Sequence, residues 1–136
     1  MTNEQYKESG SQKANSAAQT EIDWFETQLK QAGPEEKFII EMHIYETAGW
    51  WKKAIFNWNE DSHQKRFYGL MEQYRDIILL EVTGHDHLGG MRAHATTEDP
   101  NQYFLNKVLF PGLTATSNTQ PGFSNFVYDS EKNTVE

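Results

Sequence analysis

Apolar positions along this 136-residue chain fall into blocks with different periods. From Thr20 onward, Ile22, Phe25 and Leu29, with Trp24 and Gln28 beside them, recur at helical spacing and predict a helix with one apolar stripe. Thr20-Glu21-Ile22-Asp23 offers a Thr-x-x-Asp start resembling a capping box, and Gly33-Pro34 predicts the stop. Lys37 to Met42 (KFIIEM) is a short apolar run that predicts a buried strand. A second stripe, Phe67, Leu70, Met71 and Tyr74, predicts a helix capped by Asp61 or Ser62. Asp76 to Thr83 (DIILLEVT) predicts a second buried strand. Shorter strands are expected over Met91 to Ala95, Lys107 to Leu113 and Asn125 to Asp129, between Pro and Gly signals. Trp50, Trp51, Phe56 and Trp58 follow no clean period and read as a long loop with a helical turn. Packing over a core edge is favoured for them over lining a substrate groove.

Residues 1–18 lack apolar periodicity and are rich in Ser, Asn, Gln, Lys and Glu, which predicts a polar flexible arm ahead of a folded part over 19–136. Helix, strand, helix, strand and then several strands predicts an α/β layer with antiparallel C-terminal strands.

Charge narrows the partners. Asp and Glu number 20 against 12 Lys and Arg, a net charge of −8, and no basic run exceeds two residues. Such a chain repels a phosphate backbone, so nucleic acid is not an expected partner, whereas a divalent cation is attracted. The absence of cysteine removes disulfides, thiolate zinc sites and a Cys nucleophile. The polar N-terminus has no signal-peptide apolar region, and no apolar stretch is long enough to be a transmembrane segment. The chain as written is expected to be soluble; a secreted or lysosomal place is expected only if a further N-terminal segment precedes it.

The second strand pattern runs into Gly84-His85-Asp86-His87. An extended backbone beyond the strand would send both imidazoles toward one point, and Gly84 leaves room for a ligand near the main chain. His43 directly follows the first strand. If the two strands are parallel neighbours, a right-handed crossover brings both loops to the carboxyl edge, where open sheets bind ligands. Three imidazoles, from His43, His85 and His87, would then converge on a zinc-, iron- or manganese-type ion. The competing reading is that His-x-His is a chance string and Asp86 a turn residue. His63 and His94 read as surface or structural histidines, and Glu35-Glu36 and Glu60-Asp61 as solvated turn charges. Nucleophile-elbow, phosphate-loop and dinucleotide-binding motifs are absent.

Three stretches, together spanning roughly residues 20 to 130, resemble the C-terminal half of calcineurin-like metallophosphoesterases, in the acid sphingomyelinase-type phosphodiesterase branch. EIDWFETQLKQAGPEEKFIIEMHI is similar to that family's Gln/Glu-x-x-Trp-Leu helix and the strand ending in Gly-His-Ile-Pro-Pro. YRDIILLEVTGHDHLGGM is similar to the strand ending in Gly-His-Thr-His, and KVLFPGLTATSNTQPGFSNFVYD to the closing segment. The resemblance implies the C-terminal half of a β-sandwich flanked by helices. It implies His43 and His85 on one divalent metal ion and His87 on a partner ion, zinc foremost, with at most one ion expected here. The implied substrate is a phosphoester small molecule or phospholipid headgroup, clamped between two ions for in-line displacement.

The chain departs from the pattern at several points. Glu41-Met42 replaces the Gly before His43, Tyr45-Glu46 replaces Pro-Pro, and Gln120 stands where Asn is expected. Gly-Asp-x-x-Asp and Gly-Asn-His-Asp/Glu are missing, as is Asp-x-His apart from Asp61-Ser62-His63. The expectation is a metal-dependent phosphoester hydrolase present as a C-terminal fragment, with the isolated chain inactive. The alternatives are a non-catalytic remnant acting as a metal-binding or protein-interaction module, and a plain α/β domain with structural histidines.

Overall fold

Helix α1 (Ser11–Gln31) turns Ile22 and Leu29 into the core with Phe25 half-buried beside them, as the stripe predicts. A computed structural model describes residues 11–45, 61–114 and 120–135, with side chains from 16 and from 63 in the first two spans. The Trp-rich stretch therefore lies outside the described residues. The helix begins well before Thr20. Instead of capping, the Thr20 hydroxyl donates to the Ser16 carbonyl at 2.8 Å, as Thr27 does to Asp23 at 2.7 Å. Hydroxyls satisfied one turn back let the Ala- and Gln-containing segment continue as helix. At the far end the Gly33 amide donates to the Glu36 carboxylate at 2.7 Å and closes the turn into the first strand.

Helix α2 (Asp61–Gln73) buries Phe67, Leu70 and Met71. The Phe25 and Phe67 rings stack at 5.5 Å, and Arg66 reaches from α2 to Asp23 at 2.6 Å and to Glu26 on α1.

Strands β1 (Phe38–Met42), β2 (Ile78–Thr83), β3 (Gly90–Ala95) and β4 (Tyr103–Leu109) form one mixed sheet in the order β1-β2-β4-β3. β1 pairs parallel to β2 and β2 parallel to β4, while β3 is antiparallel to β4. The parallel neighbourhood of the first two strands is as expected. β1 is an edge strand, however: Ile39 and Glu41 are exposed and Phe38, Ile40 and Met42 half-buried, an alternation rather than a fully buried run. β4 lies earlier than Lys107 to Leu113, because Tyr103-Phe104-Leu105 can pair and Pro111-Gly112 cannot continue the ladder. Of Asn125 to Asp129, only Tyr128–Asp129 is strand (β5). It pairs antiparallel with Thr134–Val135 (β6), a strand the sequence pattern did not reveal.

The helices cover one sheet face, where Phe38, Ile40, Met42, Ile78 and Leu105 meet Ile22, Leu29, Phe67, Leu70 and Met71. The other face carries a smaller cluster of Leu80, Val82 and Val108, joined by Phe110 and by Val135 of β6. The described residues are thus α/β, with an antiparallel C-terminal addition. No helix among them is long and apolar enough to cross a membrane.

Candidate functional site

Parallel pairing fixes where the histidines can go. Met42 lies opposite Thr83, and Thr83 opposite Leu109, so three strands end at one level of the sheet. The segments leaving them are stitched together by backbone hydrogen bonds. Gly84 donates to the His43 carbonyl at 3.1 Å, Phe110 to Thr83 at 2.7 Å, and Gly112 to His87 at 3.3 Å.

His43 and His85 meet at this edge. His43 Nε2 lies 3.1 Å from His85 Nδ1, and the rings stand edge to face at 5.1 Å and 88°. Two such nitrogens either share a proton or hold a cation between them. For two imidazoles bound tetrahedrally to one zinc-type ion at about 2.0–2.1 Å, the nitrogens stand roughly 3.3 Å apart. The pair therefore fits two positions of one ion after small adjustment and loss of the shared proton. Among the described residues, no group of three or more His, Asp or Glu side chains gathers in a way that could hold a metal ion.

His87 does not join the pair in such a group, and the backbone explains why. The convergence expected of His85 and His87 required an extended chain, but His85 has φ 78° and His87 φ 58°. Two left-handed residues around Asp86 destroy the alternation that would point both rings the same way. The His87 ring lies against Gly112, where an added Cβ would come within 2.6 Å of its Cγ. Gly112 is therefore the glycine this loop requires. Gly84, expected to provide the room, would place a Cβ 3.6 Å from His43 Nδ1, an ordinary contact.

Asp86 lies at a bend, as a turn residue would, but it is buried. Its side chain is only 9% exposed and accepts a hydrogen bond from the hydroxyl of Tyr45, itself 1% exposed. Burial pushes the Tyr45 phenol up to about 12, with the Asp86 contact adding to the shift and Arg92 opposing it. Across one face of the Tyr45 ring or the other sit two cations, the Arg92 guanidinium 5.0 Å and the Lys107 ammonium 5.7 Å from its centroid.

Beneath this ring lies a buried charged set. Lys107 is 2% exposed and its Nζ stands 3.2 Å from Oε1 of Glu81, which is wholly buried. The other Glu81 oxygen is 2.6 Å from His94 Nε2. The register puts Glu81, Lys107 and Arg92 opposite one another on three adjacent strands, so one sheet face carries them all. His94 also packs edge to face against Tyr68 of α2 at 5.0 Å. It is the structural histidine expected, and His63 is half-buried on α2.

Sequence reasoning missed Tyr45, Glu81 and Lys107. The signal was present for the last two: a charged residue inside each of two otherwise apolar strands, which is stable only with a partner. Compared with known proteins, the chain matches no protein-family model and no curated protein.

Proposed function

We propose that this chain is the metal-binding part of a phosphoester hydrolase, with His43 and His85 as two ligands of a single divalent cation. The observation that carries the reading is the 3.1 Å approach of His43 Nε2 and His85 Nδ1 beyond the carboxyl ends of two parallel strands. The net charge of −8 favours a cation. A bound ion would supply Lewis acidity toward a phosphoryl oxygen. His43 and His85 would hold it there, and the hydrogen bond from Gly84 to the His43 carbonyl would keep the two loops in register. The resemblance to sphingomyelinase-type phosphodiesterases supports a phosphoester small molecule or phospholipid headgroup as substrate, and zinc as the ion.

Two-metal chemistry asks more of the site. A second ion on His87 requires that ring to leave Gly112, and two close cations need a carboxylate between them. Such groups would come from the motifs the resemblance places upstream, which this chain lacks. We therefore infer that the chain alone holds at most one ion and turns over no substrate. A second reading, a non-catalytic metal-binding or interaction module, is favoured by the lack of a third ligand beside His43 and His85 among the described residues.

Hydrolysis of a chromogenic phosphodiester with added zinc or manganese separates these readings. The fragment reading predicts no rate above buffer for the chain alone, and a metal-dependent rate when the family's N-terminal half is fused upstream, lost again in His85→Ala. Inactivity of the fusion would leave the binding module. Turnover by the isolated chain, abolished by His85→Ala, would overturn the fragment reading.

A further inference from the structure

Two of the places where the chain departs from the pattern it resembles touch each other. Tyr45 stands where that pattern has Pro, and Asp86 where it has Thr; the Tyr45 hydroxyl donates to Asp86 Oδ2. Each sits beside a histidine of the pair, Tyr45 in the segment leaving β1 with His43, and Asp86 directly after His85. We propose that Tyr45, whose ring lies near the cationic groups of Arg92 and Lys107, is a positioning residue that sets the approach of His85 to His43 through its hydrogen bond to Asp86.

The geometry supports this in three ways. First, the loop needs an external restraint. Left-handed backbone is unfavourable at a non-glycine residue, and His85 and His87 both adopt it, on either side of Asp86. A buried carboxylate anchored between them holds both residues in that conformation. Second, the anchor is itself rigid. Tyr45 is 1% exposed, and its ring is held by the cations of Arg92 and Lys107, which come from β3 and β4. Third, Lys107 is fixed by Glu81, and Glu81 by His94, so the anchor is continuous with the buried charges of the sheet. The result is a tie between two strand-end segments, parallel to the one from Gly84 to the His43 carbonyl but made by side chains. Side chains that orient metal-binding groups in this way commonly change affinity when removed.

Tyr45→Phe removes the hydroxyl and keeps the ring over its cations. The test is imidazole nitrogen–proton NMR on the purified chain, together with titration of cobalt(II) followed by absorbance. Only the cobalt readout rests on the metal-binding reading; the NMR readout reports the His43–His85 contact with no metal present. The expected result is a change in the His43 and His85 ring signals with those of His63 unmoved, and cobalt affinity about 10–100-fold weaker. Asp86→Ala should match it, and the double variant should be no weaker than either single one. Val108→Ala, in the opposite cluster, controls for lost stability and should leave both readouts in place. If Tyr45→Phe fails to fold, Asp86→Asn, which keeps an acceptor, should retain part of the ring-signal pattern. Unchanged His43 and His85 signals in Tyr45→Phe or in Asp86→Ala would overturn the proposal. Absence of cobalt binding by the unaltered chain would count against the metal reading alone.

Discussion

Lys107 on β4 and Glu81 on β2 face each other across the sheet, Nζ to Oε1 at 3.2 Å, with both side chains withdrawn from water. A pair this deep gains its Coulombic attraction against a large desolvation cost, and removing one partner leaves the other's buried charge less compensated.

Replacing Lys107 with Met should therefore destabilise the chain by about 3–5 kcal/mol in urea unfolding. Glu81→Met should cost a similar amount, because it takes a buried carboxylate from both Lys107 and His94. The double replacement should cost less than the sum of the two. Additive losses would mean that the two charges do not act as a pair.

The contact between the helices predicts a pH effect at the acid end. Arg66, then Gln19, hold the Asp23 carboxyl below its ordinary value of 3.8; Lys30, then Arg66, hold Glu26 below 4.5. Carboxyls lowered in the folded state contribute stability that is complete above pH 4.5 and disappears as pH falls through their lowered values. Asp23 is exposed and Glu26 half-buried at the surface, so the effect is small and screened by salt. Arg66→Met should flatten the decline of thermal midpoint below pH 4.5, and half-molar salt should do much the same to the unaltered chain.

Gly112→Ala should act on His87 and spare the other two histidines. Its Cβ would press within 2.6 Å of the His87 ring, so ring or segment must shift, at about 1–3 kcal/mol. In histidine NMR the His87 signals should move while those of His43 and His85 hold. Movement of all three would show that the loop behaves as one rigid piece.

Much of this architecture was legible in the residues. Phe67, Leu70 and Met71 recur at a spacing only a helix can bury, and two apolar runs joined by that helix lead to parallel neighbours. That adjacency is also what places His43 beside His85. The details that failed depend on tertiary contacts. Thr20 looked like a cap because a hydroxyl can satisfy either a free amide or the carbonyl one turn back, and local sequence does not decide between them. His87 was expected beside His85 because spacing alone assumes a backbone conformation, and the left-handed turn around Asp86 depends on Tyr45, far away in sequence. The β5–β6 hairpin is too short to leave a period in the sequence.

We propose that His43 and His85, and not His87, form the cation site of this chain. Calorimetric titration of zinc into the purified protein, repeated on His43→Ala, His85→Ala and His87→Ala, tests it most directly. No more than one ion per chain should bind to the unaltered protein, and weakly. Affinity should fall at least about tenfold on loss of His43 or His85 and change little on loss of His87. Zinc binding that survives His85→Ala undiminished, or no binding at millimolar zinc, would contradict it.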